Sequence, residues 1–295
     1  MNNDKSNSIR INRDYLDSLL IEGRIVGAVH PSCEVSVLGK TFATPVIPAA
    51  MSHLKTGMAA WAEGARLAGA LGSVGMGSIS EMEAVYGAYS DVIKVIKPYA
   101  DPAEIFSRIR AAERLGAFGV GMDVEHAINQ DDDADSLVVG FQMKLPTLEE
   151  LKRYVQSTRL PFFIKGALSV QDALHCREIG CAGVILSHHN GLMRWAVPPA
   201  MMLPEIRTAV GPDFIMIADG GIADGYDAFK ALALGADLVS VGKVLMDACL
   251  QGGSRAMADK IAEITRELKG IMARTGAKDL RSIDPTVLHP APFRS

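Results

Sequence analysis

Imidazole, carboxylate and ammonium side chains stand at the ends of several apolar runs in this sequence, where they could transfer protons or bind anions. His188 and His189 are adjacent in LSHHNGLMRW, directly after one such run. Successive side chains of an extended chain point to opposite faces, so at most one of the two faces a shared interior. Asp123, which closes FGVGMDV, could orient that histidine and stabilise its protonated form, although a lone aspartate there also serves as a helix cap.

Lys165 ends the apolar run PFFIK. An ammonium group at the edge of a dry interior costs several kcal/mol unless an anion or another partner accepts its charge. Three roles remain open at this stage. The side chain is a nucleophile that forms a Schiff base, a counter-charge for a bound anion, or an ion-pair partner of Asp219 or Asp123.

Glycines follow two further runs, in ADGGIADG (218–225) and VSVGKV (239–244). Backbone N–H groups without side chains, together with the positive end of a helix, form phosphate sites, and Lys243 would add a full charge. The simpler alternative is that these glycines only make tight turns. Gly119 and Gly121 share a face with Asp123, which leaves room for a flat ligand against that strand.

Eight short apolar runs, which alternate with amphipathic stretches, position these side chains. The pattern predicts an α/β fold, a parallel (β/α)₈ (TIM) barrel, whose catalytic groups gather at the C-terminal ends of the strands. An open, doubly wound sheet is the alternative. The predicted strands are 44–51, 69–76, 91–99, 118–124, 161–167, 183–189, 214–221 and 238–244. The side chains at their ends are Ser52, His53, Ser73, Lys94 or Lys97, Asp123, Lys165, His189, Asp219 and Lys243.

Segments outside the alternation are predicted to flank a single domain that spans residues 1–295. Residues 1–40 form an N-terminal arm, in which YLDSLLIEG is predicted to be a short helix and CEVSVLG a short strand. SRAMADKIAEITRELKGIMARTGA (254–277) is a long amphipathic helix, and 276–295 are a C-terminal tail. The connection 128–144 is either a lid over the barrel mouth or a disordered acidic loop.

Composition is that of a soluble globular protein, with 48% hydrophobic and 22% charged residues and a net charge of −4. The absence of a basic excess argues against a nucleic-acid partner. No apolar stretch has membrane-spanning length, and the polar start lacks the core of a secretion signal, so we expect a cytoplasmic protein without a membrane partner. Four cysteines without metal-like spacing are expected to be buried, reduced thiols.

The C-terminal half resembles the FMN-dependent 2-hydroxy acid oxidase and dehydrogenase family, which includes glycolate oxidase, lactate oxidase and flavocytochrome b2. The resemblance is carried by FFIKGALSVQDALHCREIGCAGVILSHHNG, ADGGIADGYDAFKALALGADLVSVGKVLM and ELKGIMARTGAKDLRSI, and it is weaker over 35–125. It implies an FMN cofactor, a small-molecule substrate and a homo-oligomer, often a tetramer.

The family's motifs imply roles for the matching residues. His189 matches the catalytic base, Asp123 its carboxylate partner, and Lys165 the lysine that supports negative charge on the reduced flavin. The implied cofactor-binding residues are Ala49, Ala50, Ser73, Lys94, Lys165, Ser187, Asp219, Gly220, Gly221, Gly242 and Lys243.

Departures from the family's pattern fall on the substrate side. Leu192 replaces the arginine that clamps the substrate carboxylate, and Arg194 comes two residues late. Losing a bidentate arginine removes roughly 2–5 kcal/mol from carboxylate recognition unless another cation replaces it, and the candidates are Arg194, Lys94 and Lys97. His53, at the barrel mouth, is a further candidate for substrate binding, as an acid or a ligand. We expect a flavoprotein that oxidises a 2-hydroxy acid or related small alcohol. The alternatives are an FMN-dependent isomerase, a reductase of a non-acid substrate, and a phosphate-binding barrel without redox activity.

Overall fold

Eight parallel strands form a nearly closed barrel in the computed structural model, which describes residues 4–52, 54–55, 57–129, 131–135, 138–189 and 191–291. Each strand lies within one of the eight predicted runs, so the predicted barrel is confirmed. The barrel strands are β4 (Val46–Pro48), β5 (Gly72–Val74), β6 (Val92–Ile96), β7 (Gly119–Asp123), β8 (Phe162–Lys165), β9 (Gly183–Leu186), β10 (Ile215–Asp219) and β11 (Leu238–Val241).

Each barrel strand is followed by a helix, as the right-handed crossover of a parallel sheet requires. These helices are α2 (Met58–Leu67), α3 (Ile79–Ala88), α4 (Pro102–Arg114), α5 (Leu148–Gln156), α6 (Val170–Glu178), α7 (Pro199–Val210), α8 (Gly225–Ala233) and α9 (Lys243–Arg274). The strands pair in the order β4-β11-β10-β9-β8-β7-β6-β5. A hydrogen bond of 2.8 Å from Gly75 N to Met51 O links the C-terminal ends of β5 and β4.

Apolar side chains fill the barrel interior. Ile93 and Val95 alternate on the inner face of β6, and the ring of Phe163 lies among them. A methyl group on Gly119 would lie 3.2 Å from the Phe163 ring, and one on Gly121 would lie 3.2 Å from Val95. The Phe163 side chain therefore fills the space beside β7, so the prediction that a flat ligand lies there was wrong.

The N-terminal arm and the C-terminal tail are joined by a small sheet. The first helix, α1 (Ser8–Asp17), begins after Asn7, whose side chain accepts from two backbone N–H groups. A strand follows directly, β1 (Leu19–Ile21), which pairs with β12 (Leu288–Pro290) in the tail. The helix predicted for YLDSLLIEG was therefore wrong in its second half, because tail pairing makes that half a strand.

Two further elements refine the sequence boundaries. The predicted strand in CEVSVLG is present as β2 (Val35–Val37), paired with β3 (Lys40–Phe42). Helix α9 starts at Lys243, which the sequence had assigned to a strand, and it breaks at Gly252 and Gly253 before the predicted C-terminal helix. Within the described residues, none of the helices combines the length and the apolarity that crossing a membrane requires.

Candidate functional site

A cavity of about 690 Å³ opens at the C-terminal ends of the barrel strands. That volume lies in the range of small-molecule and cofactor sites. The sequence-predicted residues that line it are Ala49, Ala50, Ser52, Lys97, Lys165, Ser187, His189, Asp219, Gly220, Gly221, Gly242 and Lys243. The cavity therefore joins side chains contributed by loops and strand ends from most of the barrel.

His189 reaches the cavity through a turn rather than through strand alternation. Strand β9 ends at Leu186, and His189 has a φ of +44°, a left-handed conformation that is uncommon for a residue with a side chain. Its Nε2 lies 3.0 Å from Asp123 Oδ2, and its Nδ1 lies 2.7 Å from Glu125 Oε2. The imidazole thus stands between two carboxylates.

This placement raises the pKa of His189 above its ordinary value. Burial and the ammonium of Lys165 lower the pKa, because both disfavour the imidazolium, but hydrogen bonds to Asp123 and Glu125 outweigh them. His189 therefore keeps its proton to a higher pH than a free histidine does.

Asp123 is buried at the end of β7, with only 3% of its surface exposed. Its Oδ2 accepts from Lys97 Nζ at 2.9 Å and lies 3.9 Å from Lys165 Nζ. Burial alone would raise the pKa of Asp123, but the charge of Lys165, the hydrogen bond and charge of His189 and the charge of Lys97 lower it. The carboxylate is held ionised.

Lys165 points into the cavity from the end of β8. Its Nζ lies 2.9 Å from His189 Nε2, 3.1 Å from Ser187 Oγ and 3.7 Å from Asp219 Oδ2. Ser240 donates to the other oxygen of Asp219 at 2.9 Å. Among the three roles left open by the sequence, these contacts show the ion pair directly.

Glu125 is a site residue that sequence reasoning missed. Gly166 explains how it reaches His189: this glycine has a φ of +97°, and a methyl group there would lie 2.9 Å from Glu125 Cβ. The glycine of the Lys-Gly pair thus lets the β8 loop pass close to Glu125. Strand alternation gave no signal for Glu125, because β7 ends at Asp123 and Glu125 lies in the 3₁₀ turn that follows.

His126 is a second imidazole in the cavity wall, and the sequence gave no weight to it. Its Nδ1 lies 2.5 Å from Asp135 Oδ2, and its ring centroid lies 4.1 Å from that of His189. Burial and the charges of His189 and Lys97 lower the pKa of His126, against the pull of Asp135. The pKa values of the two neighbouring histidines are therefore pushed apart.

Donor atoms of Asp123, His126 and His189 lie within 4.8 Å of one another, a spacing that metal ligands share. The ammonium groups of Lys97 and Lys165 already contact the Asp123 oxygen and the His189 nitrogen. Two positive charges at these atoms disfavour a metal cation, so we assign none.

The other end of the cavity is built for an anion. Gly220 and Gly221 have φ values of +105° and +75°, and Gly242 precedes the N-terminus of α9, so backbone N–H groups and Lys243 surround this end. Asn12 of α1 supports the loop, since its Nδ2 donates to Gly220 O at 3.0 Å. A methyl group on Gly221 would lie 2.2 Å from the same Nδ2.

Several predicted site residues do not reach the cavity. Ser73 is buried in β5, and Lys94 points out of the barrel, where it is fully buried and donates to Gly75 O. Arg194 is exposed on the loop after β9. The sequence predicts that Ser73 and Lys94 bind the cofactor and that Arg194 binds the substrate, but none of the three lines the cavity. Alternation along β6 turns Lys94 outward, and the loop after β9 carries Arg194 away from the cavity. His53 lies outside the described residues.

His188, the other histidine of the pair, does not face the cavity. It is 2% exposed, does not line the cavity, and neither ring nitrogen has a hydrogen-bond partner among the described residues. Burial lowers its pKa, which favours a neutral ring.

A parallel barrel that joins an anion-binding rim to an imidazole, a carboxylate and an ammonium group matches a known class of flavin barrels. Residues 2–147 and 129–290 match the FMN-dependent dehydrogenase family. The chain belongs to this family, and the resemblance to FMN-dependent 2-hydroxy acid oxidases and dehydrogenases is confirmed.

Relatives and solved structures agree with this assignment. An L-lactate oxidase of Alicycliphilus denitrificans is 39% identical over 153 residues, which are 52% of this chain and 42% of that protein. An L-lactate oxidase of Lactobacillus jensenii is 28% identical over 290 residues, which are 86% of this chain and 71% of that protein. A mandelate oxidase structure with a monooxide FMN adduct superposes with a TM-score of 0.84 at 25% identity, covering 97% of this chain and 92% of that chain.

FMN is the cofactor of this family, and the cavity fits it. The glycine-lined end with Lys243 suits a phosphate, and the opposite end holds Lys165 and His189. Between them, Ala49 and Ala50 give a wall with small side chains against which a flat ring can lie.

Proposed function

We propose that this protein is an FMN-dependent oxidoreductase that converts a 2-hydroxy acid or a related small alcohol to the oxo compound. The observation that carries the proposal is the single cavity that joins an anion-binding end to the cluster of His189, Asp123 and Lys165. Two of its relatives bear the name L-lactate oxidase, and a mandelate oxidase shares its fold.

Each part of the cavity has a task in holding the cofactor. Gly220, Gly221, Gly242 and Lys243 would bind the phosphate, Asp219 and Ser187 the ribityl chain, and Ala49 and Ala50 the ring. FMN supplies the acceptor for the hydride that leaves the carbinol carbon. Lys165 would supply a buried positive charge close to the bound flavin, and that charge would favour the electron-rich reduced state.

His189 would accept the proton of the substrate hydroxyl, and its two carboxylates would stabilise the imidazolium that results. Both ring nitrogens contact a carboxylate before substrate binds, so one carboxylate must give way to the hydroxyl. Asp123 is held by Lys97 and is 4% exposed in its side chain, whereas Glu125 is 19% exposed. Glu125 is therefore the partner that moves.

An anaerobic screen tests the proposal. The purified protein is expected to carry an oxidised-flavin absorption band, and at least one small alcohol or hydroxy acid is expected to bleach it in a single turnover. A flavin that no alcohol bleaches would favour an isomerase or a reductase. A protein that binds no flavin would favour a phosphate-binding barrel.

The wider setting is also part of the proposal. We propose one FMN-binding domain over the whole chain, in a homo-oligomer of the cytoplasm. The pairing of β1 with β12, which ties both ends together, supports a single domain. The four cysteines are buried and form no disulfide within the described residues, which suits a reducing compartment. The exposed side chains of Met193, Trp195 and Met201 offer an apolar surface for a second copy, and light scattering of the purified protein tests this.

A further inference from the structure

Among the described residues, every cation at the catalytic end of the cavity already faces a carboxylate. Lys97 pairs with Asp123 at 2.9 Å, and Lys165 lies 3.7 Å from Asp219. His189 contacts Asp123 and Glu125. A substrate carboxylate would add a negative charge to a site whose positive charges are already paired with carboxylates. It would therefore be repelled by those carboxylates without gaining an ion pair of its own.

No arginine of the described residues lines the cavity. Leu192 stands where the resemblance requires the clamping arginine, and Arg194 is exposed on the surface loop. The remaining lysine of the lining, Lys243, lies at the N-terminus of α9 beside the glycines that suit a phosphate. The described part of the chain thus leaves a substrate carboxylate without an uncommitted cation.

His126, in the cavity wall, provides a hydrogen-bond acceptor rather than a positive charge. A carboxylate only accepts hydrogen bonds, so the proton of the neutral ring lies on Nδ1, which donates to Asp135 at 2.5 Å. The lone pair is then on Nε2, which can accept from a hydroxyl or an amide but repels a carboxylate. The lowered pKa of His126, caused first by burial and then by the charge of His189, keeps the ring neutral.

We infer that the substrate is an alcohol without a free carboxylate beside the carbinol, such as a 2-hydroxy amide or a vicinal diol, and that His126 selects it. This inference rests on the proposed function and narrows its substrate class. In the reaction the carbinol C–H and O–H bonds break and a C=O bond forms. The hydride, with both electrons, goes to oxidised FMN, and the proton goes to His189.

Two compounds of equal size test the inference: 2-hydroxypropanoate and 2-hydroxypropanamide. The holoenzyme is mixed with each under anaerobic conditions, and the rate of flavin bleaching is followed at increasing concentration. The ratio of the flavin-bleaching rate to the apparent dissociation constant is expected to be higher for the amide by about tenfold or more. Repulsion between like charges in the site accounts for a difference of at least this size. A better rate with the acid overturns the inference and leaves the proposed function standing.

Binding of the two oxo products gives a second readout that needs no turnover. Perturbation of the flavin spectrum is titrated with 2-oxopropanoate and 2-oxopropanamide, and the amide is expected to bind about tenfold more tightly. Equal binding, or tighter binding of the acid, also overturns the inference. If neither compound bleaches the flavin in the kinetic experiment, this titration still decides the charge preference, and the proposed function fails only if no alcohol of the anaerobic screen bleaches the flavin.

Variants assign the preference to particular residues. Glu125→Gln removes one negative charge while keeping the shape, so the amide preference is expected to fall about tenfold. Glu263→Gln, on α9 with a side chain that is 44% exposed, is the matched control and is expected to leave the preference unchanged. His126→Asn keeps a donor for Asp135 but lacks Nε2, and is expected to weaken binding of the amide while binding of the acid stays equal or becomes tighter. A preference unchanged by both site variants contradicts the assignment.

Discussion

Replacement of Asp123 by asparagine removes the charge on which the centre of the site depends. The Asp123 carboxylate contacts Lys97 at 2.9 Å and His189 at 3.0 Å, and the side chains of Lys97 and Lys165 are 11% and 5% exposed. Breaking a buried ion pair on one side costs about 3–5 kcal/mol, because the other charge stays buried without its partner. At about 2 °C per kcal/mol for a domain of this size, Asp123→Asn is expected to lower the melting temperature by roughly 6–10 °C.

Thermal unfolding followed by circular dichroism near neutral pH measures this change. The control is Asp259→Asn, which breaks a surface pair of 3.2 Å with Arg255 and is expected to cost about 0–1 kcal/mol. The folded pKa of Asp123 is lowered, so its contribution is present above the unfolded carboxyl pKa and is lost only as the pH falls through the folded value. The difference between wild type and Asp123→Asn is therefore expected to persist from neutral pH down to about pH 5. Equal melting temperatures for Asp123→Asn and the control would refute the reasoning.

Three further substitutions test the anion end and the barrel interior. Gly221→Ala puts a methyl group 2.2 Å from Asn12 Nδ2 at a φ of +75°, and is expected to weaken FMN binding about tenfold or more in a fluorescence titration; unchanged binding would show that this loop does not hold the cofactor. Lys243→Met is expected to weaken FMN binding by about tenfold to a hundredfold, since a charge-assisted hydrogen bond is lost, whereas Lys243→Arg retains it. Gly119→Ala places a methyl group 2.9 Å from Pro161 O and 3.2 Å from the Phe163 ring, and is expected to cost about 1–3 kcal/mol in urea unfolding; an unchanged free energy of unfolding would contradict the packing described.

The barrel could be predicted from the sequence because each strand is a separate apolar run. The runs lie between amphipathic stretches, and a parallel sheet covered on both faces requires that pattern. The failures lie where distant segments meet. The second half of YLDSLLIEG has helical spacing, but pairing with β12 in the tail makes it a strand. Such pairing depends on the whole fold and leaves no local signal.

Part of the candidate site could be read in advance and part could not. The types and positions of Asp123, Lys165 and His189 were enough to predict that they meet, because parallel strands end at one rim. Glu125 and His126 follow β7 in a short 3₁₀ turn, where neither alternation nor helical spacing gives a direction. The prediction that Lys94 binds the cofactor failed because its side chain lies on the outer face of β6. Lys97, three residues later, is the lysine that lines the cavity.

The central claim is that His189 exchanges a proton with the substrate inside a cluster of fixed charges. The most direct measurement is the rate of anaerobic flavin reduction between about pH 5 and pH 10, in the wild type and in His189→Gln. The raised pKa of His189 means that the base form appears only above the ordinary histidine value, so the wild-type rate is expected to rise through a pKa above 6.5. His189→Gln is expected to be slower by about a hundredfold or more and to lack this rise. A variant that keeps the same rise would contradict the account.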